Sequence, residues 1–422
     1  MEMMIRISPT NRMYRLLTAV LLAAAVPASG HGQTAPTTAF TGARLIDGTD
    51  SAPVPNATIV VRNGRILAAG PASNVKVPVG VRRVSLAGKT VIPGIINAHG
   101  HVNAPGDLQT YAAYGVTTVF SLGGEPESVF AARAEQKSPT LDRARVFLAG
   151  PVLTPSTPAE ARTQVAGVAA QHVDIVKIRV DDNLGTTPKM APDVYRAVID
   201  AAHARGMRVA THLFYLDDAK SLLDAGSDFV AHSIRDAQVD ADVIAKLKSR
   251  NVCVSPTLMR EVSTFVYETT PAFFHDSLFL THANREWMAA LEKPDAQTAM
   301  RTSTSAQRYK VALDVAKRNL KRLSDAGVPI AMGTDTGPTG RFQGYFELME
   351  LEQMVDAGLT PRQALVAATR DAARCMKLDR DLGTIEPGKW ADFVVLDADP
   401  LANISNVRRI ASVWIAGNRV PR

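Results

Sequence analysis

From about residue 38 to residue 90, apolar and polar positions alternate with a period of two, the mark of half-buried strands. Phe40-Thr-Gly-Ala-Arg-Leu-Ile-Asp-Gly alternates and stops at a turn. Ala57-Thr-Ile-Val-Val-Arg runs into Asn63-Gly64, a hairpin signal, and Arg65-Ile-Leu-Ala-Ala-Gly returns. A further short pair is expected in Val84-Ser-Leu-Ala-Gly-Lys-Thr-Val91. After His101 the rhythm changes. Strand-like runs at 116–122, 145–149, 174–180, 208–213, 229–233, 252–258 and 329–333 alternate with helical spacing at 193–205, 217–225, 241–249 and 307–326. Arg205-Gly206, Ala225-Gly226, Ala326-Gly327 and Ala357-Gly358 are helix stop signals.

Counting the apolar run that ends at His99 as the first, eight strands alternate with helices over about 280 residues, which predicts an α/β fold with a closed (β/α)8 barrel of the TIM type. The same alternation permits an open, doubly wound sheet; the count of eight favours the barrel. Past residue 381 the β rhythm returns in Asp392-Phe-Val-Val-Leu and Arg409-Ile-Ala-Ser-Val-Trp-Ile. The expected organisation is a small discontinuous β-sandwich domain built from 38–91 and 381–422 around a barrel at 92–380. Between 259 and 305 lies a longer stretch carrying Phe265, Tyr267, Phe273, Phe274, Phe279 and Trp287. It follows the seventh strand, where barrel active-site loops lie, and reads equally as a lid, a pocket wall or packing for extra helices.

Composition narrows the context. Arg12 and Arg15 precede an apolar run from Leu16 to Val26 and then Pro27-Ala-Ser-Gly30, the form of a secretory signal peptide over residues 1–30. An uncleaved anchor is the alternative, although the run is short for a membrane span. The expectation is an exported protein, periplasmic or secreted, with no membrane attachment after cleavage. The chain of 422 residues carries a formal charge of +6; without residues 1–30, which hold one acid and three arginines, it is +4. Lys and Arg are scattered among acids, so no nucleic-acid surface is expected. The two cysteines, Cys253 and Cys375, sit in a strand-like and a helix-like run; an exported chain could pair them, but two buried free thiols are expected.

The chemistry gathers at strand ends. Val91-Ile-Pro-Gly-Ile-Ile-Asn-Ala-His99-Gly-His101 ends in two histidines one residue apart, which a strand points to the same face. Lys177 sits in the apolar run Asp174-Ile-Val-Lys-Ile-Arg-Val; Val209-Ala-Thr-His212, Phe229-Val-Ala-His232 and Ala331-Met-Gly-Thr-Asp335 each end in an ionisable residue. Singly, each has an ordinary explanation: a hydrogen-bonded core histidine, a snorkelling lysine, a helix-capping aspartate. Together they place four imidazoles, an amine and a carboxylate at the catalytic face of one barrel, which is costly without a cation to coordinate. Imidazole with carboxylate favours zinc over magnesium or calcium.

In these motifs, with Gly383-Thr-Ile-Glu-Pro-Gly-Lys-Trp-Ala-Asp-Phe, nearly all of the chain after residue 30 resembles the amidohydrolase superfamily, in its imidazolonepropionase-like branch that includes metal-dependent dipeptidases. The resemblance implies a discontinuous β domain beside the barrel and two divalent ions, most readily Zn2+. His99, His101 and Asp335 would hold the more buried ion, His212 and His232 the second. Lys177, carboxylated by carbon dioxide, would bridge them. A hydroxide between the ions would attack, with Asp335 moving its proton to the leaving nitrogen.

The match is thinner elsewhere. One-metal deaminases of the superfamily often carry a glutamate three residues after the strand-five histidine, where this chain has Tyr215. With Lys177, this favours two-metal amide hydrolases and disfavours imidazolonepropionase proper, a one-metal enzyme. Dipeptidase-like members usually carry Gly-Gly-His after strand three; Gly150-Pro-Val-Leu-Thr-Pro-Ser-Thr-Pro has no histidine, which weakens the dipeptide assignment. Tyr215, Arg179 and Arg341 are candidates for gripping a substrate carboxylate. The expected activity is hydrolysis of an amide or peptide-like C–N bond in a small molecule. The alternatives are a two-metal lactonase or phosphoesterase and a non-catalytic metal-binding protein. A homo-oligomer is left open.

Overall fold

The computed structural model describes residues 37–422; the signal-peptide reading of residues 1–30 lies outside them. The chain opens with β1 (Thr37–Leu45), β2 (Val54–Arg62), β3 (Arg65–Pro71), β4 (Arg82–Ser85) and β5 (Thr90–Pro93). A parallel series follows: β6 (Ile95–Gly100), β7 (Val116–Ser121), β8 (Arg145–Leu148), β9 (Val176–Arg179), β10 (Val209–His212), β11 (Phe229–Ala231) and β12 (Cys253–Ser255). Near the end come β13 (Phe393–Leu396), β14 (Ile410–Ile415) and β15 (Asn418–Arg419).

The first and last groups share one sheet in the order β15-β14-β13-β5-β1-β2-β3, with β4 on β1. β2 and β3 form the hairpin across Asn63-Gly64. The pair expected within 84–91 does not form. β4 and β5 each lie parallel to β1, and β5 takes β13 as its antiparallel partner, Val91 opposite Val395. Both chain ends also share one core: the Phe40 ring meets Phe393 at 5.0 Å and Trp414 at 4.7 Å, edge to face.

The apolar run before His99 is two strands rather than one. Gly94 separates β5 in the first sheet from β6 in the parallel series. A Cβ at Gly94 would stand 2.0 Å from Thr117 Oγ1 on β7, so only glycine lets the strands approach there.

The parallel strands form two arcs, β6-β7-β8 and β9-β10-β11-β12. Leu153 N donates to Lys177 O at 2.8 Å, and Leu153 bridges to Ile178 in parallel. On the other flank, Val254 bridges to Ile330, and Ala98 N and Thr334 N donate to Met332 O and His99 O at 2.8 and 3.0 Å. The 329–333 run thus lies between β12 and β6 without forming a continuous strand. Pro329 offers no N–H to a ladder. The stretch after β12 folds into short helices whose Phe273, Phe274 and Phe279 are buried against Phe342, Tyr345 and Phe346. Its phenylalanines thus pack into the core, while the helix Pro294–Thr302 in the same stretch buries no residue.

The cysteines correct the sequence reading. Cys253 on β12 and Cys375, the last residue of the helix Arg370–Cys375, form a disulfide across 122 residues, with Cα atoms 5.9 Å apart. The fold brings them within bridging geometry, which sequence spacing cannot register.

Candidate metal centre

The strand-end residues converge at the carboxyl ends of the parallel strands. His99, on β6, is fully buried; its Nε2 is 3.3 Å from Asp335 Oδ1 and 3.4 Å from Lys177 Nζ, on β9. His101 Nε2 lies 2.9 Å from the same Asp335 oxygen. A ligand atom from each of His99, His101 and Asp335 lies within 4.8 Å of the others, so these three can hold a metal ion. The second histidine pair sits alongside: His212 Nδ1 is 2.8 Å from His232 Nε2, and the His99 and His232 rings are 4.5 Å apart.

The outward nitrogens of His101, His212 and His232 are engaged. His101 Nδ1 donates to the Gly123 carbonyl at 3.0 Å, which leaves Nε2 as the nitrogen turned to Asp335. His212 Nε2 donates to Asp181 Oδ2 at 3.1 Å, which leaves Nδ1 as a lone pair aimed at His232. His232 Nδ1 is held by Thr257 Oγ1 at 2.7 Å. Such contacts fix tautomer and ring angle in imidazoles that bind metals. The inward face then sets nitrogen lone pairs against one another and against a carboxylate, an arrangement that calls for a proton or a cation between them. The donor set, with His99 presenting Nε2 to Asp335, fits a divalent ion.

Electrostatics point the same way. Burial and the Lys177 charge push His99 down to about 3. Burial, partly offset by Asp181, brings His212 to about 4, and burial holds His232 well below its ordinary value. At neutral pH these rings are neutral, the ligating form. Burial lowers Lys177 to about 7, so a large share of its amine is uncharged. Burial opposes ionisation of Asp335, but Arg341, His101 and His99 outweigh it and keep the carboxyl well below the usual range.

The backbone carries strain at this place. His232, Thr257 and Asp335 all adopt positive φ, at 81°, 48° and 60°. Such conformations cost of order 1–3 kcal/mol each in non-glycine residues and gather at functional sites. Beside Asp335, a Cβ at Gly333 would stand 2.8 Å from His99 Cβ, so the two ligand-bearing segments approach as closely as backbone allows.

Several residues that the sequence reading passed over hold this geometry. Glu347 Oε1 accepts from Asn97 Nδ2, Thr334 Oγ1 and Thr336 Oγ1 at 2.6, 2.7 and 2.6 Å, while Asn97 Oδ1 accepts from His99 N. One buried carboxyl thereby ties the His99 strand to the Asp335 segment. Glu350 accepts from Leu258 N and Met259 N at 2.8 and 2.7 Å, fixing the turn that presents Thr257. Two acids three apart in the apolar stretch Tyr345-Phe-Glu-Leu-Met-Glu-Leu were the available signal.

The three substrate-binding candidates separate. Arg341 pairs with Asp335 Oδ2 and donates from Nε to Ser263 Oγ at 3.2 Å, which places it at the centre. Arg179 pairs with Asp181 at 3.0 Å, one residue removed from His212. Tyr215 donates to Asp182 at 2.8 Å and stacks with Lys189, and neither contact reaches the histidines.

Residues 90–420 match the amidohydrolase family model, and the chain belongs to that family of hydrolases acting on carbon–nitrogen bonds. It is similar to the imidazolonepropionase of Streptomyces coelicolor, 26% identical over 394 residues covering 87% of this chain and 92% of that protein. Among solved structures, it resembles a candidate prolidase from Bifidobacterium longum at 26% identity and a TM-score of 0.74, covering 92% of this chain and 95% of that one. A Xaa-Pro dipeptidase with bound methionine shares the fold at 19% identity and a TM-score of 0.73, with 92% and 100% covered. Likeness to these structures implies a TIM barrel beside a β domain.

Proposed function

We propose that this chain is an exported two-metal amidohydrolase cleaving an amide or peptide-like C–N bond in a small substrate. The observation that carries the reading is the orientation of His101, His212 and His232, each held from outside so that its other nitrogen faces the centre. His99, His101 and Asp335 would hold one ion, His212 and His232 the second, with zinc the best match to the donors. When bound, such ions lower the pKa of water and polarise a scissile carbonyl.

Lys177 completes the set. Its neutral amine attacks carbon dioxide, an N–C bond forms and one proton leaves, and the resulting carbamate offers two oxygens sharing one negative charge where an ammonium would repel cations. Asp335, kept ionised by Arg341 and the histidines, accepts the proton of the attacking water and returns it to the departing nitrogen. Arg341 is the candidate for orienting a substrate carboxylate, since it already pairs with a carboxylate there.

Two structural readings accompany the function. The arcs close into one eight-unit barrel, supported by the backbone hydrogen bonds through Leu153 and on both sides of the 329–333 run. Export is supported by the basic and apolar start of the chain and by the Cys253–Cys375 disulfide, a bond typical of oxidising compartments.

The test is turnover by zinc-loaded protein of dipeptides, N-acyl amino acids, lactones and phosphotriesters. Hydrolysis of amide substrates is expected; activity on lactones or phosphotriesters alone would overturn the C–N assignment.

A further inference from the structure

The amino ends of the parallel strands hold a second concavity, facing away from the metal centre. A cavity of about 600 Å3 opens between the starts of β10, β11 and β12, the 327–330 segment and the helices Pro361–Ala367 and Arg370–Cys375. Six cationic side chains and three carboxylates line it. The carboxylates are already engaged. Asp50 and Asp371 pair with Arg370 at 2.8 and 2.9 Å, and Asp228 accepts from His203 Nε2 and Val209 N at 2.8 Å each.

The other cations are not compensated in this way. Arg208 donates to the carbonyls of Cys375 and Met376 at 2.7 and 3.4 Å, Arg362 to those of Thr49 and Ser51 at 3.4 and 3.2 Å, and Arg250 to that of Leu223. Among the described residues, none of these three forms an ion pair with a carboxylate, and Arg374 lies 3.6 Å from the already paired Asp371. Carbonyl contacts orient a guanidinium without neutralising it, and each fork keeps unused N–H donors. Several such forks around one concavity repel one another unless an anion lies between them, and planar forks match oxyanions in pairs.

We propose that this cavity binds a small oxyanion carrying two negative charges, a phosphate monoester or a dicarboxylate, gripped by Arg208, Arg250 and Arg362. The volume exceeds what a bare ion fills and leaves room for an organic body. The site is independent of the hydrolytic reading, since the metal centre lies at the opposite ends of the same strands.

The experiment is calorimetric titration of the zinc-loaded full chain with inorganic phosphate, phenyl phosphate and succinate. Saturable binding that weakens with ionic strength is expected. Arg208→Gln and Arg362→Gln each raise the Kd about tenfold or more. Arg374→Gln, at a side chain 58% exposed and so harmless to the fold, weakens binding by a smaller factor. His101→Asn leaves binding intact, which separates this cavity from phosphate held at the metal centre. Binding of both phosphates without succinate identifies the ligand group as phosphate; binding of succinate as well identifies a general dianion site. Absence of saturable binding by all three, or binding abolished by His101→Asn and untouched by the arginine variants, overturns the proposal.

Discussion

The Cys253–Cys375 disulfide sets a measurable difference between the oxidised and reduced protein. Reduction, or replacement of both cysteines by serine, opens a loop of 122 residues in the unfolded chain. In the chain-entropy treatment, closing a loop of that length stabilises the fold by about 5 kcal/mol, and measured effects commonly run at about 2–4 kcal/mol. Both cysteines are buried, 5% exposed each, so in the serine variant two hydroxyls are buried in place of the disulfide and add to the cost. For a domain of this size, 2–4 kcal/mol corresponds to a fall of about 3–5 °C in the thermal midpoint. The assay is thermal unfolding followed by circular dichroism, with and without reductant, alongside thiol counting on the native and denatured protein. Both thiols are expected to be silent in the oxidised protein and to titrate after reduction. Two free thiols in protein isolated from an oxidising compartment, or a midpoint unmoved by reduction, would refute the reasoning.

Three further predictions concern the centre. Lys177→Ala loses bound zinc and most activity, checked by metal analysis after gel filtration; two retained ions with normal turnover would remove the bridging role. Thr257→Val takes away the group that orients His232 at 2.7 Å, and about a 10–100-fold loss in affinity for one ion is expected by competition with a chelator, the other ion being unaffected. Glu350, raised by burial to about 8, is protonated in the folded state between roughly pH 4.5 and 8, while the unfolded chain has lost that proton. Its contribution to stability is therefore present at low pH and is lost as pH rises toward 8. In denaturant titrations, Glu350→Gln is expected to flatten that decline; identical slopes in both proteins would place the charge elsewhere.

The strands and their ligand-bearing ends were legible because both follow local rules. Alternation with period two marked β1 to β3, and a polar residue closing an apolar run marked His212, His232 and Asp335. What stayed hidden depends on distance in the chain. Asp181 faces His212 across 31 residues, Glu347 meets Asn97 across 250, and the cysteines meet across 122. None of these partners shares a helix face or strand register with the residue it serves. The division of the run before His99 was hidden for another reason: the change of sheet at Gly94 leaves the apolar pattern unbroken.

That change of sheet bears on how the protein is made. β5 stands immediately before the strand that carries His99 and leads into His101, and its antiparallel partner β13 is Phe393–Leu396. During synthesis His99 and His101 emerge early, yet the sheet that anchors their strand is completed only by β13, whose Phe393 pairs with Pro93 across 300 residues of chain. A chain terminated before β13 would therefore carry every side chain proposed to bind metal while lacking the strand that fixes the first two in place. Synthesis of β13 is thereby coupled to assembly of the proposed centre.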